Sequence, residues 1–373
     1  MKIAIDLRSL SSGTVSGVEN YCLNLTENLL KLDGQNRYTL FYNALRKAQL
    51  PDFQRMNSEI KRARLPNRIL NLALKFKLVD LETMFGEFDW LVMPNLNQFH
   101  VHAKTRVALT VHDLSPVTAH GFYDVKRRLW HKFLNYQKAF QRANVLLAVS
   151  EYTKQDIIRL FNIHPQKIKV IYPGIDQASF NPQITEDDLR QIRNRYGLPG
   201  EFILFLNTIE PRKNLASVIR AFEQINHPAH LVIAGRLGWK YSKDFNLINN
   251  SKKSAKIKYI GYVDERHKPG LIKLSRALIY PSFYEGFGFQ PLEAMAMGVP
   301  VIASQVTALP EIVGDSGLLV DPYNPNEIAK AIKLLLTDTD LRNRLVVKGL
   351  ERVKNYSWET TAKKTLEVLQ SYN

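Results

Sequence analysis

The stretch PSFYEGFGFQPLEAMAMGVP, residues 281–300, decides the fold. It follows a short apolar run, residues 278–280, that is typical of a buried strand, and its second half has the pattern of a helix with Pro291 near the first turn. Gly286 and Gly288 lie between the two, where a backbone without Cβ atoms lets a ligand approach closely. This strand, glycine loop and helix predict a parallel α/β sheet with a ligand at its carboxyl edge.

Outward from this stretch, short β-branched runs alternate with amphipathic, helix-like segments along most of the chain. Alternation of this kind predicts parallel sheets covered by helices on both faces, and two successive sets predict two doubly wound domains. The predicted strands are residues 3–5, 38–42, 90–93, 107–111, 145–149 and 169–171, then 202–206, 231–234, 257–260, 278–280, 301–303 and 318–320.

The break between the two sets falls where Pro173 and Gly174 stop the last strand of the first set. We therefore predict an N-terminal domain of residues 1–178 and a C-terminal domain of residues 179–355, with a last helical segment at 356–373. A length of 373 residues and a hydrophobic content of 45% suffice for two cores.

The cysteine count and the apolar pattern limit the class of protein. Cys22 is the single cysteine, which excludes an internal disulfide and a multi-cysteine metal site and fits a reducing compartment. The first residues lack the long apolar stretch of a signal peptide, and no apolar run reaches the length of a bilayer span. We expect a cytoplasmic protein that is soluble or peripheral on the inner face of the cell membrane.

The net charge of +16 is concentrated in two stretches of the first half. Residues 46–77 hold nine basic and two acidic side chains, and residues 126–142 hold six basic and no acidic ones. Such patches suit nucleic acid, anionic lipid or a phosphorylated acceptor, although a merely soluble basic surface explains them equally well. Residues 67–77 mix aliphatic and basic side chains, as in a helix on an anionic membrane or a core helix with a wet basic edge.

Two carboxylates in the deciding stretch are the first candidate ligands. Glu285 on the loop and Glu293 on the helix can each accept hydrogen bonds from a pair of neighbouring hydroxyls, which both a sugar and a ribose offer. The spacing alone is weak, because any two acids can fall eight residues apart.

A pair of cations and a lone histidine follow other predicted strands. Arg212 and Lys213 lie just before the helix that starts near residue 214, where two positive charges are unfavourable unless an anion such as a diphosphate joins them. His112 ends the strand 107–111, although a histidine there is more often structural. The loop before Gly17 bears glycines but lacks Gly-x-Gly-x-x-Gly, which disfavours a nicotinamide enzyme.

Together these motifs resemble the family-4 retaining glycosyltransferases of GT-B fold along nearly the whole chain. The resemblance rests on the order and spacing of the segments at 13–17, 112–113, 149–154, 172–176, 210–214, 261–263 and 285–293. The Glu-Pro-Arg-Lys-Asn segment, residues 210–214, is most similar to bacterial mannosyltransferases of polysaccharide assembly.

The resemblance implies an α/β fold of two Rossmann-like domains that face each other across a cleft, with the final helix crossing back to the N-terminal domain. It implies a retaining hexosyltransferase that needs no metal or other cofactor. The first choice of donor is GDP-mannose, and the acceptor is a glycan or a lipid-linked glycan. A sugar-nucleotide epimerase or phosphorylase of the same architecture, a silent sugar-binding subunit and a basic nucleic-acid-binding protein are the alternatives; the last explains the charge but not the glutamates.

The resemblance also implies roles for single residues. Glu285 holds hydroxyls of the donor sugar, Glu293 holds the ribose, and Lys213 with Arg212 neutralises the diphosphate. Gly17 lies beside the donor phosphates and His112 contacts the transferred sugar near its anomeric carbon. Backbone amides of the loop contact sugar and phosphate, at Gly286, Phe287, Gly288, Phe289 and Gln290.

Two segments allow more than one interpretation. Asn207 and Thr208 stand where many members of the family have Gly-Arg, so Arg212 either replaces a missing phosphate-binding arginine or leaves the task to Lys213. Asp338 and Asp340 form the Asp-x-Asp of a different glycosyltransferase fold, but they precede a helical segment and predict a helix cap rather than a metal site.

Overall fold

The structure is a computed structural model that describes residues 1–12, 17–46, 48 and 50–372. The chain forms two compact units. The first contains Met1–Pro116, Val125–Gly174 and Ser357–Asn373, and the second contains Val117–Asp124 and Ile175–Tyr356.

Within the described residues, the first unit holds a parallel sheet of seven strands in the order β3-β2-β1-β4-β5-β6-β7. The strands are β1 Lys2–Asp6, β2 Arg37–Asn43, β3 Ser58–Ala63, β4 Trp90–Met93, β5 Arg106–Val111, β6 Val145–Ala148 and β7 Ile168–Val170. The helices between residues 17 and 161 are α1 Gly17–Leu32, α2 Asn67–Lys75, α3 Leu81–Phe85, α4 Ser115–Thr118, α5 Val125–Leu134, α6 Tyr136–Arg142 and α7 Glu151–Phe161.

The second unit holds, in its described part, a parallel sheet of six strands in the order β10-β9-β8-β11-β12-β13. The strands are β8 Phe202–Leu206, β9 His230–Ala234, β10 Ile257–Tyr259, β11 Leu278–Tyr280, β12 Val301–Ser304 and β13 Leu318–Val320. The helices are α8 Glu186–Tyr196, α9 Leu215–Glu223, α10 Ser242–Asn250, α11 Lys268–Lys273, α12 Phe289–Ala296, α13 Leu309–Val313, α14 Pro325–Thr337 and α15 Thr339–Arg352, and the chain ends with α16 Trp358–Gln370 in the first unit.

The order of the strands reverses between β1 and β4 in the first sheet and between β8 and β11 in the second. Doubly wound sheets bind ligands in the crevice beyond the carboxyl ends of the strands at such a reversal. The loops that follow β8 and β11 are those that carry residues 210–214 and 281–288, so the second unit positions the predicted donor residues at its reversal point.

The prediction of the first sheet was wrong in one strand, because β3 was not expected. Its six residues, SEIKRA, carry three charged side chains and none of them is fully buried. β3 pairs with β2 alone at the edge of the sheet, in parallel register from Ser58 opposite Tyr38 to Ala63 opposite Asn43. An edge strand with a wet face gives no apolar run for a sequence pattern to detect.

A short segment of the first half of the chain, Val117–Asp124, packs with the second unit, whereas the sequence-based division left it in the first. The indole Nε1 of Trp239 donates a hydrogen bond to the carbonyl of Phe122 at 2.6 Å, and Tyr123 stacks on the same indole. The Phe122 ring lies parallel to Phe283, with 5.5 Å between the ring centroids. Aromatic side chains, which leave no sequence pattern of their own, decide where this segment belongs.

The last helix, α16, packs on α1 of the first unit. Trp358 meets Tyr21 edge to face at 5.5 Å, and the hydroxyl of Thr361 donates to the carbonyl of Tyr172 at 2.8 Å. Trp358, Thr361 and Thr365 are buried, so this helix is part of the core. Among the described residues, no helix combines the length and the apolar character that crossing a bilayer requires.

Candidate active site

Hydrogen bonds hold the loop after β11 to the loop after β8 on one side and to the end of β12 on the other. The amide of Phe283 donates to the carbonyl of Arg212, in the loop after β8, at 2.9 Å. On the other side, the hydroxyl of Ser304, at the end of β12, donates to the carbonyl of Ser282 at 2.5 Å, and the Thr307 hydroxyl accepts from the amide of Glu285 at 3.1 Å. These bonds fix the backbone that carries the Glu285 carboxylate.

Glu285 lies between two cations. Lys213 Nζ donates to Glu285 Oε1 at 2.6 Å, and Arg212 Nη1 donates to Glu285 Oε2 at 3.1 Å. Arg212 also pairs with Glu210 at 2.9 Å, and Lys213 contacts the hydroxyl of Tyr280 at 3.2 Å. The side chains of Arg212, Lys213 and Glu285 are 12%, 11% and 9% exposed, so this charge cluster is mostly withdrawn from water.

The cations decide the protonation of the cluster. Burial raises the pKa of Glu285, but Lys213 and Arg212 outweigh it and lower that pKa to about 2. Burial and the neighbouring Arg212 lower the pKa of Lys213, and burial raises the pKa of Glu210. Glu285 is therefore ionised at neutral pH, where it accepts hydrogen bonds from hydroxyls and cannot serve as a proton donor.

Asn214 holds the cation loop against two other loops of the second unit. Its side-chain amide donates to the carbonyls of Pro281 at 2.9 Å and of Pro322 at 2.7 Å. Asn214 is the N-cap of α9 and has a φ of +63°, a left-handed conformation that asparagine tolerates better than most residues. Lys213 itself is the last residue of a tight 3₁₀ turn, residues 211–213, that immediately precedes the helix.

The start of α12 completes this part of the site. Gly288 is its N-cap with a φ of +117°, and a Cβ there would lie 2.7 Å from Leu309 Cδ2, so a glycine is required. Gln290, in the first turn, accepts a hydrogen bond from the Tyr280 hydroxyl at 3.1 Å and is thereby linked to Lys213. Phe287 is buried beside the Phe289 ring at 5.2 Å, and Gly286 is buried in the same loop.

Glu293 lies one turn further along α12 and is 2% exposed. It pairs with Lys268, at the start of α11, and Lys268 Nζ lies 2.8 Å from Glu293 Oε1 and 2.7 Å from Oε2. The structure thus brings Arg212, Lys213 and Glu285 into one charge cluster and places Glu293 in a second ion pair on the same helix-and-loop segment.

The predicted residues of the first unit lie at the carboxyl ends of other strands. His112 follows β5, and its Nε2 lies 2.7 Å from the carbonyl of Pro94, so that nitrogen carries a proton. Burial lowers the pKa of His112, which keeps the imidazole neutral near pH 7. Gly17 is the exposed first residue of α1, while the glycine-loop residues 13–16 lie outside the described residues.

Three members of the two ion-pair clusters were missed by reasoning from the sequence. The sequence predicts Tyr280, the last residue of β11, only as a strand residue, although its position at a strand end is a usable signal. Glu210 lies in the Glu-Pro-Arg-Lys-Asn segment, but the sequence alone predicts no role for its carboxylate. Lys268 is a lysine 25 positions from its partner Glu293, and no sequence pattern connects the two.

Asp338 caps the helix α15 as predicted, since its carboxylate accepts from the amide of Leu341 at 2.8 Å. In the described part of the chain, the acidic and histidine side chains close enough to share a metal ion are Asp80, Glu82 and His102. These belong to the first unit, around the start of α3, and not to the clusters of Glu285 and Glu293.

The fold agrees with comparisons to known proteins. The crystal structure of Anabaena Alr3699/HepE in complex with UDP and glucose superimposes with a TM-score of 0.77 and covers 100% of both chains at 19% identity. Two parallel α/β units with such neighbours define a GT-B glycosyltransferase fold. The profile "Glycosyltransferase Family 4" matches residues 15–179, and "Glycosyl transferases group 1" matches residues 189–352.

Proteins of similar sequence identify the family within this fold class. The O-antigen chain mannosyltransferase B of Escherichia coli is 32% identical over 277 residues, which cover 72% of this chain and 71% of that protein. The serotype-specific mannosyltransferase WbdA of Escherichia coli is 26% identical over 264 residues, but these span only 32% of its length. The chain belongs to the family-4 glycosyltransferases, with a group 1 domain as its second half.

Proposed function

We propose that this glycosyltransferase moves mannose from GDP-mannose to a glycan or a lipid-linked glycan in polysaccharide biosynthesis, with retention of the anomeric configuration. The observation that carries the proposal is the Glu285 carboxylate held between Lys213 and Arg212 where the strand order reverses. The mannosyltransferase B of Escherichia coli supports the choice of mannose. GDP is proposed as the carrier of that sugar.

In this proposal the two cations serve the diphosphate and the two glutamates serve the sugars. An ammonium has three N–H donors, and the contacts of Lys213 with Glu285 and Tyr280 use two of them, so a phosphate oxygen can take the third. The ionised Glu285 accepts hydrogen bonds from hydroxyls of the transferred hexose. Glu293 accepts them from the ribose, and the backbone of residues 286–290 lies along sugar and phosphate.

The chemistry that follows balances without a protein nucleophile. The bond between the anomeric carbon and the β-phosphate oxygen breaks, and its electron pair goes to the diphosphate. The acceptor hydroxyl forms the new bond to that carbon from the same face, and its proton passes to an oxygen of the departing diphosphate. Lys213 and Arg212 stabilise the charge that grows on the leaving group, and the neutral His112 contacts the sugar near the reacting carbon.

We also propose that the protein contacts an anionic membrane, where a lipid-linked acceptor would be found. The helices α2 and α5 are joined at Lys75, whose Nζ lies 3.7 Å from the centre of the Phe133 ring. The exposed apolar side chains of these helices and of the residues just after α2 lie among exposed cations, and those that are more than half exposed are Ile69, Phe76, Leu78, Val125 and Leu129. Apolar groups set among cations suit the boundary between lipid headgroups and acyl chains.

The experiment that tests the function incubates the purified protein with GDP-mannose, GDP-glucose, UDP-glucose and UDP-galactose, and follows thermal stabilisation and sugar transfer to an added mannan oligosaccharide. Stabilisation by GDP-mannose above the other three is the expected result, because a ligand that binds only the folded state raises its melting temperature. Transfer that persists in EDTA supports a metal-independent reaction, and an α-linked product supports retention.

Other outcomes point elsewhere. Interconversion of the nucleotide sugar without transfer would favour an epimerase, and transfer that needs phosphate as acceptor would favour a phosphorylase. If none of the four nucleotide sugars stabilises the protein, the proposed donor site is wrong.

A further inference from the structure

The ion pair of Glu293 and Lys268 is unusual because both partners are withdrawn from water. Their side chains are 3% and 13% exposed, and Lys268 comes from the first turn of α11, a different element from the α12 of Glu293. Breaking a buried pair by removing one partner is costly, whereas the intact pair adds little stability over an apolar contact. The arrangement is therefore poorly explained by stability alone.

The Glu293 carboxylate keeps acceptor capacity in this arrangement. Lys268 donates a hydrogen bond to Oε1 at 2.8 Å. Oε2 is buried and lies 2.7 Å from the same ammonium, outside hydrogen-bond geometry, and the described part of the chain offers this carboxylate no second donor. An ionised carboxylate can accept about four hydrogen bonds, so most of its lone pairs point at no donor of the protein. A buried oxygen left in this state is a signal for a ligand.

The charges around Glu293 set its protonation. Burial raises the pKa of Glu293, and the positive charge of Lys268 opposes this rise without cancelling it. Burial lowers the pKa of Lys268, but Glu293 and Glu265, whose carboxylate lies 3.7 Å away, outweigh burial and raise it. The negative charge of Glu265 also raises the pKa of Glu293, and Tyr280 interacts with Glu293 as well. Lys268 is therefore the one cation that favours the ionised form of Glu293 among these groups.

We propose that Lys268 is a positioning residue of the nucleotide site, which holds the Glu293 carboxylate ionised and turned so that its remaining lone pairs accept hydrogen bonds from the two vicinal hydroxyls of the donor's ribose. This inference rests on the proposed function, in which Glu293 binds the ribose. Lys268 acts through Glu293 and needs no contact of its own with the nucleotide.

The loss of Lys268 should change how nucleotide binding depends on pH, and the direction of that change follows from the charges around Glu293. Without the ammonium, burial and the negative charge of Glu265 act on Glu293 unopposed and its pKa rises further, so a larger fraction of the carboxyl is protonated at the lower end of the pH range. A protonated carboxyl carries one O–H and loses the acceptor sites that two hydroxyls need. As the pH rises through the new pKa the carboxylate returns, so binding in the variant recovers with pH while binding in the wild-type protein changes less.

The test measures dissociation constants for GDP and for 2′,3′-dideoxy-GDP by calorimetry between pH 6 and pH 9, in wild type, Lys268→Met and Lys268→Arg. We expect Lys268→Met to weaken GDP binding about tenfold at pH 6.5, the size of one lost charge-assisted hydrogen bond, and to recover most of it by pH 9. Lys268→Arg keeps the charge and should stay within about threefold of wild type. Dideoxy-GDP should bind wild type and Lys268→Met alike.

Two further measurements separate the possible failures. In Lys268→Met with Glu293→Gln no buried charge is left unpaired, and this double variant should bind GDP as Glu293→Gln does, which keeps the test informative if Lys268→Met misfolds. A loss in Lys268→Met that is independent of pH and equal for both nucleotides overturns the positioning role. If the wild-type protein fails to distinguish GDP from dideoxy-GDP, the ribose role of Glu293, and with it the basis of this inference, is wrong.

Discussion

At the scale of single residues, the cluster of Lys213, Arg212 and Glu285 is the feature on which the chemistry depends. Replacement of Lys213 by Met keeps the length and apolar stem of the side chain but removes the charge. Arg212 then remains to hold Glu285 in place, because its Nη1 donates to both the Tyr284 carbonyl and the Glu285 carboxylate. The loop should therefore survive the substitution while the leaving diphosphate loses a cation.

We expect Lys213→Met to lower kcat for sugar transfer about 100-fold or more, as the removal of one electrostatic stabiliser does in other enzymes. Initial rates of transfer from GDP-mannose measure this. The matched control is Lys330→Met, an exposed lysine of α14, which should retain the wild-type rate. A Lys213→Met protein that is folded and transfers sugar at the wild-type rate would remove Lys213 from the mechanism.

Asp244, on α10, offers a prediction that does not depend on the function. The residue is 7% exposed, and burial raises the pKa of its carboxyl to about 6. The folded state then holds a proton that the unfolded state releases near pH 4. The free energy of unfolding therefore falls as the pH rises from about 4 to about 6, and the loss persists above pH 6.

Asp244→Asn removes this titration, so we expect it to stabilise the protein by about 1–2 kcal/mol at pH 7.5 and to have little effect near pH 4. Urea unfolding at the two pH values measures the difference. Equal effects of Asp244→Asn at both pH values would show that the carboxyl titrates in the ordinary range.

At the scale of elements, the surface of α2 and α5 makes the membrane proposal testable. The double variant Lys126→Glu with Lys132→Glu should reduce binding to vesicles that contain phosphatidylglycerol, since each basic group near an anionic surface contributes about 1 kcal/mol. The change should shrink at high salt because the attraction is screened. Co-sedimentation at low and high salt measures both effects.

The apolar side chains of the same surface give an independent readout. Leu129→Ser should weaken vesicle binding at both salt concentrations, because burial of an apolar side chain does not depend on ionic strength. Lys330→Glu with Lys333→Glu, on the exposed face of α14, is the charge-matched control and should bind as wild type does. If both double variants lost vesicle binding equally, net charge alone would account for the effect.

At the scale of the whole molecule, the chain leaves the first unit after Gly174 and returns to it at Ser357. Within the first unit these two points of the chain lie side by side, and a Cβ on Gly174 would overlap the backbone of Ser357 and Trp358. Backbone atoms cannot move aside as a side chain can, so a second main chain passes where any other residue would place its first carbon. Gly174 is required at this crossing by packing.

We expect Gly174→Ala to destabilise the protein by about 3 kcal/mol or more, at the upper end of overpacking substitutions. Gly200→Ala is the matched control, because a Cβ there meets no atom within 4 Å, and it should be neutral or slightly stabilising. Thermal unfolding of the two variants measures the contrast. A Gly174→Ala protein as stable as wild type would mean that the crossing can separate without cost.

The sequence by itself determined the class of fold and the strands at its centre. β8, β11 and β12 are buried along their whole length and form near-continuous apolar runs, as parallel strands covered on both faces do, so composition reveals them. The same logic fails at the edge, where β3 is charged and half-buried. The sequence also predicted Lys213, Glu285 and Glu293 as candidate site residues, since strand ends and glycine loops can be recognised along the chain.

Only the tertiary structure decided which of these side chains meet. The pairing of Glu285 with Arg212 joins residues 73 positions apart, and that of Glu293 with Lys268 joins residues 25 positions apart on different helices. The docking of Phe122 and Tyr123 on the second unit likewise depends on aromatic contacts between distant segments. Such contacts arise when strands are ordered in a sheet, and the order of strands is a property of packing rather than of local sequence.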